Sequence, residues 1–306
     1  MQTHFKFIKY TRIWFTISII AILIGVGAMV YNKVDHGTTL RWGMDFTGGS
    51  LMEFNFETKP DPRSVMAAID EVFPGSVEQI TVTDQGTYIV QAKDMAEEQL
   101  VAIQSSLHEK AGGYELMRFQ TIGPKVGATL KTKAFTALVI ALIAIVFYLA
   151  YVFRNVPKRV SPWKFGVCAV ISLAHDVIIT IGLFAVLGYE MNALFITALL
   201  TLIGFSNHDT IVVYDRIREN LKHQSRDQSF SEIADISLNQ TLTRSINTSL
   251  STLFPLVALY FFGAESLRHF VFALIFGITI GTYSSIFVAS PLLTLWQERG
   301  RRKAQG

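Results

Sequence analysis

The sequence predicts a polytopic α-helical membrane protein, with six transmembrane helices and an α+β extracytoplasmic domain between the first two. Three observations carry that expectation. Half of the 306 residues are hydrophobic and 17% are charged, with a mean hydropathy of +0.37, too apolar for an ordinary soluble domain. A ~30 Å hydrocarbon core takes about 20 mainly apolar helical residues to cross, and six runs meet that length: 13–31, 134–153, 164–187, 191–214, 241–262 and 268–296. Basic residues cluster on one side of the membrane when those runs are threaded in order.

The first run follows the basic stretch MQTHFKFIKYTR. A secretory h-region is about 7–15 residues and ends at a small-residue cleavage site. This run is longer, and GAMVYNK lacks such a site, so it reads as an uncleaved span. The expected layout is 1–32 as cytoplasmic N-terminus and first helix, 33–130 as outer domain, 131–297 as helices two to six, and 298–306 as a basic cytoplasmic tail.

The outer segment has ordinary globular composition. Its pattern reads strand 49–57, helix 61–72, strand 77–83, strand 87–92, helix 95–110 and strand 114–122. Asp61 serves as an N-cap with Pro62 at the first helical position, and Asp94 as an N-cap with Glu97 three residues on. TDQGT is a hairpin turn. The order βαββαβ is the ferredoxin-like arrangement, which carries no function with it.

Orientation follows from charge. Lys6, Lys9 and Arg12 precede span one, Arg154, Lys158, Arg159 and Lys164 lie between spans two and three, Arg216, Arg218, Lys222 and Arg226 follow span four, and Arg299, Arg301, Arg302 and Lys303 close the chain. All four clusters share one side if there are six spans, and the positive-inside rule makes that side cytoplasmic. The opposite short loops, GYEMN and FFGAES, carry only Glu190 and Glu265, with Arg268 and His269 as a mild exception.

Three places break the apolar pattern. AHDV puts His175 and Asp176 in span three, where Asp176 sits roughly 18 Å along the helix from Lys164, near the bilayer midplane. GFSNHDT puts Asn207, His208 and Asp209 in span four. TLTRSINTSLST begins span five with Arg244, and Thr241, Arg244, Thr248 and Ser251 recur at helical spacing on one face. A charge at a helix centre costs about 2.5–3.5 kcal/mol on insertion scales, so such residues turn to the bundle interior or to water and pair. Asp209 and Asp176 are both candidates to pair with Arg244. Against that stand plain structural roles: hydrogen-bonded carboxyls, satisfied histidines, a snorkelling arginine, and DRIREN as the start of a solvated loop. Gly277 and Gly281 form a G-x-x-x-G contact signal in span six, and Pro255 and Pro291 read as helix bends.

The functional reading is a proton or cation path. A carboxyl that alternates between a dry setting and an arginine takes up and releases a proton. One elementary charge crossing 100 mV releases about 2.3 kcal/mol, so a few crossings suffice to move a domain outside the membrane. No phosphate-cradling loop, nucleophile elbow or Cys-His metal set is present, and GPKVGATLK has its glycines and lysines in the wrong order. No cofactor, metal or enzymatic role is expected, and no basic-aromatic patch points to nucleic acid. Cys168 is single, inside span three, and reads as a small buried apolar residue.

WGMDFTGGS (42–50), AHDV (174–177), GFSNHDTIVVYDRIREN (204–220) and TLTRSINTS (241–249) together resemble the SecF side of the SecD/SecF family of bacterial protein-translocase subunits. The likeness runs through essentially the whole chain and extends to one half of an RND-type transporter. It implies a multi-pass protein of the bacterial inner (cytoplasmic) membrane with both termini cytoplasmic. It implies use of the proton or sodium motive force to assist late translocation of a preprotein, in complex with SecD and alongside the SecYEG channel and the SecA ATPase. The family's intramembrane Asp and Arg fall on Asp209 and Arg244, and its His-Asp pair on His175 and Asp176. One departure stands out. The family usually reads Gly-Tyr-Ser-x-Asn-Asp-Thr, whereas here Asn207 is displaced by one position and His208 precedes the Asp. An imidazole there is placed to tune Asp209 or to join the relay. Two other functions fit the residues alone: a stand-alone small-molecule exporter acting as an oligomer, and a membrane scaffold whose buried charges only set helix register.

Overall fold

The computed structural model describes residues 5–83, 85–155, 160–223 and 228–305. Lys158, Arg159 and Arg226 of the basic clusters, and Asp84 of the expected hairpin turn, lie outside them. The chain divides into two compact units, one of residues 42–136 and one of the remainder.

Six helices are long and apolar enough to cross a membrane among the described residues. They are α1 (Thr11–His36), α5 (Pro124–Val152), α6 (Pro162–Leu187), α7 (Ala193–His223), α8 (Phe230–Phe262) and a last path made of α9 (Arg268–Ser284), a π-helical turn Ser285–Ala289 and α10 (Ser290–Gln305). Half or more of the apolar windows of α6, α7 and the last path is buried, against 11% for α1, α5 and α8. The centre of the bundle is therefore α6, α7 and α9, with broad apolar faces of the others turned outward, such as Ile17, Ile20 and Leu23 of α1.

Two helices run further than hydropathy predicts. α7 continues through DRIREN to His223, where Arg218 pairs with Asp215 and Arg216 with Glu219 along the helix, so this stretch is helix rather than loop. α8 begins at Phe230, eleven residues before the expected span, behind a capping box in which Ser229 Oγ accepts from Glu232 N and Glu232 accepts from Ser229 N. The π turn has a chemical cause beside it. Pro291 has no N–H to give to the carbonyl four residues back, and Ser290 Oγ instead donates to Ser285 O at 3.1 Å.

Helices approach closely at glycines. A Cβ on Gly277 would lie 3.0 Å from Leu202, and one on Gly281 2.8 Å from Ser206 Cβ, so the G-x-x-x-G of α9 packs on α7. A second close contact carries no motif: a Cβ on Gly25 of α1 would sit 2.7 Å from Gly182 Cα of α6.

The smaller unit holds α2 (Met44–Thr47), β1 (Gly49–Phe56), α3 (Pro62–Val72), β2 (Val77–Val82), β3 (Tyr88–Ala92), α4 (Glu97–Ala111) and β4 (Tyr114–Ile122). The sheet is antiparallel in the order β2-β3-β1-β4, with a register shift between Glu53 and Phe54. Met52, Phe54, Phe56, Tyr88 and Val90 point inward against Val65, Ile69, Ile103 and Leu107 of α3 and α4. Asp61 caps α3 by accepting from Arg63 N at 2.8 Å. The expected cap of α4 shifts. Ala96 stands at the N-cap, its N–H held by Gln99 Oε1 at 2.9 Å, while Asp94 accepts from Thr121 Oγ1 across to β4. The paired glycines of FTGGS are required by both conformation and space. Gly48 has φ +81°, and a Cβ there would be 2.7 Å from Pro124 Cα. A Cβ on Gly127 would press on the backbone of Phe46 and Gly48.

Candidate functional site

The polar residues that interrupt the spans gather where α6, α7, α8 and α9 meet. Asp176 lies at its centre with no exposed surface. Its Oδ2 accepts Ser206 Oγ of α7 at 2.6 Å and Ser284 Oγ of α9 at 2.7 Å, and its Oδ1 is 2.9 Å from His175 Nδ1. The two hydroxyl contacts lie at the short end of the O–H···O range. Ser285 Oγ continues the seam to Thr210 Oγ1 at 2.9 Å, beside the π turn.

Asp209 is the second buried carboxylate, 2% exposed and one turn from Ser206 on α7. Its neighbours are hydroxyls of α8 and α9: Ser249 Oγ lies 3.4 Å from Asp209 Oδ2 and 2.5 Å from Thr282 Oγ1. Each carboxylate thus meets hydroxyls from neighbouring helices, and Asp176 meets His175 as well.

The expected site residues divide between inside and outside. Asn207 and Asp209 are buried, whereas His208 between them is exposed, because successive helical residues turn by about 100°. Arg244 is also exposed. Among the described residues no ion-pair contact joins it to Asp209 or Asp176. The polar face of α8 is offset from the one expected. Thr241, Ser245 and Ser249 are buried, while Arg244, Asn247 and Ser251 face outward. Across the bundle surface, Thr201, Gly204 and His208 of α7 and Arg244, Asn247 and Ser251 of α8 are exposed polar or small residues in otherwise apolar spans.

Among the described residues, buried side-chain atoms without a hydrogen-bond partner include Ser172 Oγ, His175 Nε2, Asn207 Oδ1 and Ser245 Oγ. No group of three or more His, Cys, Asp or Glu side chains comes together among the described residues. The sequence reading missed Ser206, Ser249, Thr282 and Ser284 as carboxylate partners. The available signal was TYSS (282–285), a polar run inside the last apolar span.

Comparison with known proteins places this arrangement. Residues 102–299 match the model of the C-terminal region of SecD/SecF protein export membrane proteins, and residues 37–60 match the SecD/SecF GG motif. The SecF translocase subunit of Thermobaculum terrenum is 44% identical over 277 residues, covering 85% of this chain and 86% of that one. The SecF subunit of Synechocystis is 36% identical over 303 residues, covering 95% and 93%. The crystal structure of SecDF from Thermus thermophilus, a translocon-associated membrane protein, superposes with a TM-score of 0.82 at 32% identity. The match takes in 97% of this chain but spans only 39% of that longer one. The chain is a multi-pass membrane protein belonging to the SecD/SecF family of protein export membrane proteins, on its SecF side.

Proposed function

We propose that this chain is the ion-coupled, non-enzymatic auxiliary subunit of the Sec export machinery in the bacterial inner membrane, acting with SecD. It draws on the proton or sodium motive force to assist SecYEG and SecA late in preprotein translocation. Asp209 and Arg244 carry the coupling, with Asp176, His175, His208 and Asn207 in the same path. Both termini are cytoplasmic. The smaller unit is periplasmic and ferredoxin-like, a reading supported by its element order β1-α3-β2-β3-α4-β4 and its antiparallel strand order.

One observation carries the reading. Arg244 is exposed on the bundle surface within an apolar span, with His208 exposed on the neighbouring helix and Asp209 buried just behind it. A guanidinium at that depth costs several kcal/mol against lipid unless a polar or anionic surface covers it. A second six-span half supplies such a surface, and the Thermus thermophilus relative carries SecD and SecF in one longer chain. Asp209 is then the carboxyl that exchanges an ion at the junction, and the hydroxyls of Ser249 and Thr282 hold it between exchanges.

The test is export into inverted membrane vesicles with the proton and sodium gradients dissipated separately. Asp209→Asn inserts normally and loses the gradient-dependent stimulation. Arg244→Gln lowers recovery of SecD on co-purification. Wild-type export by the Asp209→Asn chain removes Asp209 from the path, and undiminished SecD recovery with Arg244→Gln removes the covering surface.

A further inference from the structure

We propose that His175 and Asp176 form a proton-holding pair in which His175 Nε2, rather than the carboxyl group, is the atom that takes up and releases the proton. The contribution of this pair to export rests on the ion-coupled reading above; its proton chemistry does not.

Both oxygens of Asp176 are engaged, Oδ2 by the hydroxyls of Ser206 and Ser284 and Oδ1 by His175 Nδ1. Two hydroxyl donors converging on one oxygen at 2.6 and 2.7 Å fit an ionised carboxylate. A proton on Oδ1 would reverse the contact with Nδ1 and leave the imidazole proton on Nε2, so the tautomer separates the two arrangements. The carboxylate in turn fixes the imidazole with its proton on Nδ1.

The surroundings then ask for a charge that only the histidine can supply. A carboxylate with no exposure needs a cationic partner, and His175 is the one it has among the described residues. Among the described residues, the groups that α1, α7, α9 and the π turn bring to the pair are neutral. α1 brings Ser18, which meets Tyr283 Oη at 3.3 Å. α7 brings Ser206, while its titratable Asp209 turns to Ser249. α9 brings Ser284 and the Tyr283 ring, stacked 6.4 Å from the His175 ring with its hydroxyl donating to Trp14 O. The π turn brings Ser285, bonded to Thr210 and Gly281.

His175 Nε2 is the open end of this network. It is buried in a residue 6% exposed, and no protein group bonds it. A buried ring nitrogen that no protein group bonds is open to a proton or a water molecule. With Nε2 protonated the pair is neutral overall, and with Nε2 bare it holds one negative charge braced by three donors. Uptake and release therefore proceed without breaking a contact of Asp176.

The experiment uses the full chain, labelled with ¹⁵N-histidine, in lipid nanodiscs. Histidine ¹⁵N–¹H spectra are recorded across pH at constant sodium. The His175 signals are found by their loss in His175→Gln. If that variant does not insert, they are the pair of signals least broadened by a water-soluble paramagnetic reagent. The expected result is Nδ1 protonated at every pH and Nε2 switching between protonated and bare. Nδ1 without its proton at any pH, or an Nε2 that never changes, overturns the proposal. Repeating the titration in Asp209→Asn separates the two readings. His175 switches there as in the wild type, whatever export assays show of Asp209.

Discussion

Replacing Ser206 by alanine removes one of the two hydroxyls on Asp176 Oδ2 and leaves the Cβ that packs against Gly281. The change is therefore close to a pure loss of one hydrogen bond. Its 2.6 Å length places it in the charge-assisted class. Such a bond is worth about 1.5–3 kcal/mol, whereas a neutral one is worth about 0.5–1.5 kcal/mol. Ser206→Ala is thus expected to lower stability by about 1.5–3 kcal/mol in the wild-type chain. In an Asp176→Asn background the same substitution falls into the neutral range, and the difference is the coupling between hydroxyl and charge. Reversible unfolding of the full chain in mixed micelles measures all four corners of this cycle. Equal cost in both backgrounds, or a cost below about 0.5 kcal/mol in the wild type, refutes an ionised Asp176 held by serine.

Two further predictions concern the smaller unit. Gly127→Ala sets a Cβ 2.9 Å from Gly48 N and 3.0 Å from Phe46 C, backbone atoms with no side-chain freedom to yield. The expected cost is about 1–3 kcal/mol of overpacking, read as a lower denaturation midpoint of the full chain, and an unchanged midpoint rejects the close approach. In the second, the hydrogen bond from Lys110 and its charge hold the Glu71 carboxyl below the usual glutamate range. A carboxyl with a depressed folded-state pKa adds stability above its unfolded pKa and loses it as pH falls through the folded value. Lys110→Gln therefore flattens the acid side of the stability-against-pH curve, and parallel curves for the two chains would contradict it.

The spans were legible because hydropathy is summed over many residues and one polar side chain hardly moves the sum. Where a helix leaves the membrane that signal ends, although the helix does not. α7 runs on through Asp215–Arg218 and Arg216–Glu219 pairs, and α8 starts early behind Ser229 and Glu232, a capping pattern that was present in the sequence. The two buried carboxylates could be picked out because charge in an apolar run is costly. Their partners could not. A serine or threonine in a helix bonds the carbonyl four residues back as readily as it reaches across. Thr248 does so to Arg244 O and Thr252 to Thr248 O, whereas Ser206 and Ser284 reach Asp176. Only the packing of α6, α7 and α9 decides which hydroxyl does which. Arg244 shows the same limit: the sequence left Asp209 and Asp176 both open as its partner, and only packing sets its exposed position on α8.

The segment of residues 5–8 is fastened late. Phe5 gives its N–H to Asn239 Oδ1 at 3.0 Å and takes Asn239 Nδ2 on its carbonyl at 2.8 Å, while Ile8 N–H is held by Asp235 Oδ1 at 2.9 Å. These partners are more than 220 residues apart, and the ribosome makes the amino-terminal member first. Until α8 emerges, that basic segment has no place to dock. Its closure waits on α8, so protection of the Phe5 and Ile8 amides reports that α8 has docked.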